Sequence, residues 1–406
     1  MFLEEASRKI PVSHHCDVLV CGGGIAGAAA ALAARRHGAD VMLIEREYAL
    51  GGLATLGLIA IYLPICDGKG RQVSFSLAEE LLRLSIVNGM EDTENPWLTG
   101  RGSQEARRQH RFRVQYNPQL FAIELEQQLL AEGVRLLYGT SVCGVRECDG
   151  RITHVIVENK TGRSAIAASS VIDATGDADI CARSSAKTVE YKAGNPLAAW
   201  YYYTGPKGYR LHEYGVSDAP HEQIRAEALA GEYRCGGLTA EELTGMVCAS
   251  HCYLKAAFLK KGPDSYDHAL ATIATIPQVR MTRRLDTQYA LGEKDMFQHF
   301  PDSIGMIADW RKPGPVYEVP FRCLHDGGIR NLLVAGRCIG AQDDAWDITR
   351  VIPACVVTGQ AAGTAAALSQ DFTTLSIEAL QQALAADGVR LHLSDITQAS
   401  AEREIS

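Results

Sequence analysis

Gly22, Gly24 and Gly27 stand in the spacing G-x-G-x-x-G, and Glu45 follows 18 residues after the last of them. That set suits a turn that binds phosphate. Gly22 would permit a tight turn, Gly24 would let a pyrophosphate reach the backbone, and Gly27 would let the next helix pack closely on a sheet. A helix opening at Ile25 and Ala26 would aim free N–H groups and a partial positive charge at the phosphates. Glu45, with Arg46 beside it, would accept hydrogen bonds from a ribose. Gly51 and Gly52, followed by Leu53, Ala54 and Thr55, fit a second backbone pass along a long dinucleotide.

Other residues with chemistry to offer are more scattered. Cys143 and Cys148 have the C-x4-C spacing of a redox pair, but they lie beside a turn signal, Asp149-Gly150, which points to strand and hairpin. Cys248, His251 and Cys252, with Cys235 nearby, could donate metal ligands, yet the four-residue spacing equally marks one helix face. No metal site is expected. Arg280, Arg283 and Arg284 could clamp an anionic substrate or line a solvated face. Trp200 to Tyr203 would alternate sides of a strand, roofing a ligand or packing a core. His110, Arg113 and Tyr116 precede a helix and could reach the ligand or equally lie at the surface. Asp344 and Asp347 are candidate general bases.

The elements that must position these residues are legible in outline. Cys16 to Cys21 is an apolar strand, Ala28 to His37 a helix closed by Gly38, and Val41 to Glu45 a second buried strand. Ser76-Leu77-Ala78-Glu79 reads as a capping box opening a helix to about Val87. Residues 89–111 are polar and loop-like. A helix follows over Gln119–Glu132, then strands over Val134–Tyr138, Ser141–Arg146, Ile152–Val157 and Val171–Gly176. From about Ser184 to Cys323 the strand–helix rhythm is lost, marking a second domain. Asn331–Gly336 is again a buried strand, and Pro353–Leu368 an alanine-rich helix with proline near its start. The expected fold is α/β: a Rossmann-like domain with a parallel sheet and β-meander, carrying an inserted α+β substrate domain. Its boundaries are 1–60, 112–183 and 324–375 for the nucleotide domain, 61–111 and 184–323 for the cap, and 376–406 for a C-terminal helix and tail.

Composition narrows the partners. The chain has 406 residues, 47% hydrophobic and 22% charged, with a net charge of −8. Such a chain is globular, and the acidic balance argues against nucleic acid or an anionic membrane surface. Val18 to Ala34 lacks any charge, but 17 residues with four glycines fit a strand–turn–helix better than a membrane span. The acidic start, Met1 to Glu5, is the wrong beginning for a signal peptide, and twelve cysteines without a disulfide-like framework suggest reduced thiols in the cytoplasm.

Taken together, these residues resemble FAD-dependent oxidoreductases of the fumarate reductase and succinate dehydrogenase flavoprotein type. The resemblance rests on Gly22–Gly27, Glu45, Gly51–Thr55, Asp173–Asp179, Arg280–Arg284, Tyr317–Pro320, and the stretch Asn331–Leu368 with Ala335-Gly336-Arg337-Cys338 and Arg350–Pro353. It implies FAD. Gly22, Gly24 and Gly27 would face the pyrophosphate, Glu45 the adenosine ribose, and Gly51–Thr55 the pyrophosphate, ribityl and flavin. Val142 would meet adenine through its backbone. Ala174, Thr175 and Gly176 would pass beside the dinucleotide, and Gly336 and Arg337 would reach the ribityl side. The helix near Val351, Ile352 and Pro353 would point its N-terminus at flavin N1 and C2=O, with Arg350 adding a full positive charge that favours the reduced state.

Related sequences carry a histidine soon after Ala-Gly-Arg-Cys; Gly340–Asp347 has none, and no substrate-binding histidines of the fumarate reductases are recognisable. Without histidine or cysteine in Gly51–Thr55, the FAD is expected to be non-covalent. The expected activity is hydride transfer between a small organic substrate (alcohol, polyol or hydroxy acid) and flavin N5, with Arg283, Arg350 and Asp347 catalytic. A flavin-dependent C=C reductase, or an electron-transfer subunit of a larger complex, stand as alternatives. The second electron partner is unspecified, and a homo-oligomer is compatible.

Overall fold

The computed structural model describes residues 8–87, 113–206, 208–215 and 233–396. His110 and the polar stretch 89–111 lie outside them.

The chain opens with β1 (Val12–Cys21), α1 (Ile25–Arg36) and β2 (Val41–Ile44). β1 and β2 run parallel, from Val18 opposite Val41 to Cys21 opposite Ile44. From Val18 onward both strands are buried, as a parallel sheet covered on both faces requires. A short ribbon follows, β3 (Ile61–Tyr62) against β4 (Val114–Gln115), with α2 (Leu77–Ile86) between them in sequence. The capping box expected at Ser76–Glu79 does not form. The Ser76 hydroxyl instead donates to Asp387 O and accepts from Gln360 Nε2, both at 2.8 Å. Tertiary partners have taken the group that local sequence assigned to the helix.

α3 (Pro118–Ala131) is capped by Asn117, whose side chain accepts from two backbone N–H groups. Then come β5 (Arg135–Leu137), β6 (Ser141–Cys148), β7 (Arg151–Asn159) and β8 (Gly162–Asp173). The last three form an antiparallel meander. β8 is the hinge of the design. It runs parallel to β1 along one edge, while its other edge takes β7 up to Ala167 and then the late strand β18 (Leu332–Val334) from Val171. The sheet order is β5-β2-β1-β8-β7-β6, with β18 added beside β8. The mixed α/β architecture expected from sequence is present.

The intervening segment contains α4 (Asp179–Ala182), β9 (Thr188–Glu190), β10 (Asn195–Pro196), β11 (Tyr201–Gly205), β12 (Gly208–His212), β13 (Arg234–Cys235), α5 (Ala240–Lys261), β14 (Leu270–Ile273), β15 (Arg283–Leu285), β16 (Ser303–Ala308) and β17 (Val316–Pro320). β11 is the middle strand of a three-stranded sheet with β12 and β14, and the other strands pair in twos. Leu197, Ala198, Tyr214, Cys235, Met246 and Val279 build one small apolar cluster, and Tyr201, Leu254 and Phe258 another. Leu285, Leu291, Phe300, Ile304, Tyr317 and Phe321 join the main core of the parallel sheet instead.

The chain closes with α6 (Asp343–Thr349), α7 (Ile352–Leu368) and α8 (Ile377–Ala386). α7 is buried from Ile352 to Ala366 and crosses α1 backbone to backbone. A Cβ on Gly359 would lie 2.2 Å from Ala26 O, and one on Gly363 would lie 2.1 Å from Ala30 O. The alanine run of α1 supplies the other half of this close approach. Among the described residues no single helix is long and apolar enough to cross a membrane; α6 and α7 pass that test only as a pair bent by 82°.

Candidate active site

The glycine turn separates into parts that the fold needs and a part left open. Gly22, at φ +104, passes 2.5 Å from where its Cβ would meet Ala174 O, and a Cβ on Gly27 would sit 1.9 Å from Gly22 O. Both glycines are therefore demanded by the protein's own packing. Gly24 differs: it has φ −65, and a Cβ there would meet nothing within 4 Å. Its space opens into the cleft. Gly24 is also the N-cap of α1, with no side-chain cap and no acidic residue in the first turn. Gly51 N donates to Gly23 O at 2.8 Å, which lays the second glycine pair against the first.

The Glu45 carboxylate accepts from Gly23 N at 2.6 Å and from Glu47 N at 2.9 Å. Burial raises its pKa above the ordinary carboxylate value, and these two backbone bonds pull it partly back. At the far end of β8, Asp173 is fully buried and accepts from Thr175 N, Thr175 Oγ1, Ile180 N and Cys181 N. It ties the Ala174–Gly176 turn to α4. Burial pushes its pKa up as well.

These segments line an open cleft. From the expected set, Gly22, Gly24, Ile25, Ala26, Glu45 and Arg46 line one side. Gly51, Gly52, Leu53, Ala54, Ala174, Thr175 and Gly176 continue the wall, and Gly336, Arg337, Arg350 and Ile352 complete it. The N-terminus of α7 has Val351 as N-cap and, like that of α1, carries neither a side-chain cap nor an acidic residue in its first turn. Two helix N-termini with unused donors thus belong to one cleft. The cradle open at Gly24 and the two uncapped helix N-termini fit a bound dinucleotide.

Four expected cofactor residues stand behind this wall. Gly27 packs against Gly22. Thr55 Oγ1 donates to Leu50 O and closes its own turn. Val142 pairs with Val157 in the outer part of the sheet, and Val351 is buried at the start of α7.

The charged candidates divide in the same way. Arg350 faces the cleft. Its Nε donates to Asp347 Oδ1 at 2.7 Å, and its guanidinium lies 5.7 Å from the Trp310 ring centroid. Asp347 does not line the cleft; it holds Arg350. Arg283 is turned away, donating to Asp177 O at 2.9 Å and pairing with Asp179 at 3.1 Å. Arg337 donates to the carbonyls of Val279 and Arg280, both at 2.8 Å, and pairs with Asp177. The Arg280 pKa is pushed down to about 9 by burial, with repulsion from Arg350 adding to it. Arg284 is buried against Trp346. Asp344 pairs with Arg311 rather than facing the cleft.

The remaining candidates have structural posts. Trp200 and Tyr202 pack into the main core, and Tyr201 packs with Leu254 and Phe258. Tyr116 is buried and donates to Ala54 O, while Arg113 pairs with Glu213. Cys143 and Cys148 lie five positions apart on one extended strand, too far to bond. Cys248, His251 and Cys252 are exposed on α5.

The cleft also takes Gly237, Leu243, Ile276, Pro277 and Val279 from the inserted segment, along with Glu47, Asp177, Ala335 and Cys355. The last four adjoin recognised motifs and were findable as neighbours. The first five have no local signature, because only the tertiary fold brings them there.

The profile of the FAD dependent oxidoreductase family matches residues 17–199 and 198–384. The chain belongs to this family. This FAD dependent oxidoreductase is therefore an enzyme and a flavoprotein. It is similar to thioredoxin reductase of Ureaplasma parvum serovar 3, at 31% identity over 70 residues, which is 17% of this chain and 23% of that protein. Among solved structures it resembles p-nitrophenol 4-monooxygenase from Pseudomonas putida DLL-E4, with 11% identity and a TM-score of 0.45, covering 97% of this chain and 93% of the other. The Mycobacterium smegmatis Sdh1 complex gives 13% identity and a TM-score of 0.45 over 91% of this chain and 71% of that one. A flavocytochrome c3 fumarate reductase gives 15% and 0.40 over 88% and 78%.

Proposed function

We propose that this FAD-dependent oxidoreductase oxidises or reduces a small organic substrate, an alcohol, polyol or hydroxy acid, in the cleft between the parallel sheet and the inserted segment. The observation that carries the reading is the convergence of two uncapped helix N-termini and Arg350 on one cleft. FAD, when bound, supplies hydride transfer at its isoalloxazine ring. The chain's own residues do the rest. The α1 N-terminus and the backbone at Gly24 and Gly51 would bind the pyrophosphate, and Glu45 would bind a ribose. The α7 N-terminus and Arg350 would stabilise negative charge as it develops at the reacting end. Asp347 and Trp310 fix the Arg350 guanidinium, so its charge needs little reorganisation, and Asp347 is a positioning residue. Ile276, Pro277 and Val279 would exclude water from the substrate side. A second partner, not identified by any residue, would reset the flavin. None of the twelve cysteines forms a disulfide, which suits a reducing compartment such as the cytoplasm.

The test is anaerobic mixing of the purified flavoprotein with a panel of alcohols, polyols, hydroxy acids, enoates and NAD(P)H while following absorbance near 450 nm. Bleaching by a hydroxylated substrate alone supports the proposal. Bleaching only in the presence of a protein partner would replace it with an electron-transfer subunit. Arg350→Ala should slow the reduction by about 10²-fold, a typical loss for one charge-stabilising donor.

A further inference from the structure

Far along the chain from the glycine motifs, Glu318 on β17 stands between two imidazoles. Its Oε2 lies 2.9 Å from His392 Nδ1 and 3.4 Å from His299 Nδ1. The donor atoms of the three residues all lie within 4.8 Å of one another. The two rings tilt at 45° with centroids 4.5 Å apart. None of these residues lines the cofactor cleft.

We propose that His299, Glu318 and His392 form a binding site for a divalent transition-metal ion, with zinc the best match to two imidazoles and one carboxylate. Tetrahedral zinc with ligand bonds of about 2.0–2.1 Å places neighbouring ligand atoms about 3.4 Å apart. The two nitrogen–oxygen separations lie at or within about 0.5 Å of that value, and no two ligand atoms are more than 4.8 Å apart, so side-chain rotation alone can close the site. The carboxylate is pre-oriented as well. Phe300 N donates to Oε2 at 2.8 Å and Leu393 N donates to Oε1 at 3.0 Å, the kind of outer bonding that fixes a metal ligand. Glu318 is only 4% exposed. A buried carboxylate gains most from a cation, because water compensates it least. The His299 side chain is 65% exposed, which leaves the fourth corner open to water.

The ligands come from three places: the loop before β16, strand β17, and the segment after α8. An ion would therefore cross-link the C-terminal segment to the β16–β17 ribbon and act as a structural clamp, independent of the reaction in the cleft.

The experiment uses tag-free, full-length, FAD-loaded protein stripped of metal by a chelator and titrated with Zn²⁺ by calorimetry. One zinc per chain should bind, and it should raise the unfolding temperature. His299→Ala and His392→Ala should each weaken zinc binding at least tenfold while FAD content stays unchanged. The pair Cys248→Ser, Cys252→Ser removes the exposed thiols of α5 and should leave binding intact. No saturable binding by the wild type, binding that survives both histidine substitutions, or binding lost with the α5 thiols would each overturn the site in favour of a metal-free His–Glu–His hydrogen-bond network.

Discussion

Glu45 shows how a residue's type and its surroundings divide the work. The carboxylate was legible because it stands one strand beyond the glycine turn, a distance set by covalent geometry. Its raised pKa was not, because burial and the bonds from Gly23 and Glu47 arise only in the fold. The sign of the pH effect follows. A carboxyl with a raised folded-state pKa takes up its proton earlier as pH falls, so its own contribution to fold stability grows on acidification. Ribose hydroxyls, however, donate to the charged form. FAD release should therefore set in above the ordinary carboxylate range, read as the rise of free-flavin fluorescence between pH 7 and 4. In Glu45→Gln that step should vanish, with weaker retention at neutral pH, where the wild-type carboxylate is charged. Glu45→Ala should lower FAD content outright, and unchanged content would count against the ribose role. Arg283 and Asp347 illustrate the opposite case. Their charge was readable, but their partners, Asp177, Asp179 and Arg350, were not.

At the scale of elements, the contact between α1 and α7 governs the site. Both helices were visible in the sequence as alanine-rich apolar runs bounded by glycine or proline. Their mutual packing was not, since nothing local announces that Gly359 faces Ala26 and Gly363 faces Ala30. The crossing sets the two helix N-termini that share the cleft. Gly359→Leu should force the backbones apart, costing about 3 kcal/mol in chemical denaturation of the apoprotein, near the upper end for overpacking. It should also reduce FAD content, because both N-termini move. A stable variant with full FAD content would refute this coupling. β8 was read only from Val171 because Arg163–Ser170 is rich in alanine and serine; its pairing with β7 and β1 extends it back to Gly162. The Ser76 cap failed for a related reason, with Asp387 and Gln360 competing for the hydroxyl.

Across the whole molecule, the sheet, the meander and the insertion were legible from the order of motifs, whereas the lining contributed by the insertion was not. The two parts are stapled by Arg337 on the Val279 and Arg280 carbonyls and by Arg283 on Asp177 and Asp179. Arg283→Ala should cost about 1–2 kcal/mol of stability, as expected for lost charge-assisted bonds, and leave flavin reduction intact. Unchanged stability with lost reduction would make Arg283 catalytic instead. Acid precipitation should release the FAD into solution, as required of a cofactor held without a covalent bond.

The central claim is that the cleft is built around FAD, and Gly24 tests it most directly. The protein itself leaves room for a side chain at Gly24, whose φ of −65 is open to any residue. Gly24→Ala should therefore keep the unfolding temperature of the apoprotein, while the added methyl group intrudes where the pyrophosphate must approach and weakens FAD binding at least tenfold in a fluorescence titration. Equal FAD affinity in Gly24→Ala and wild type would contradict the account.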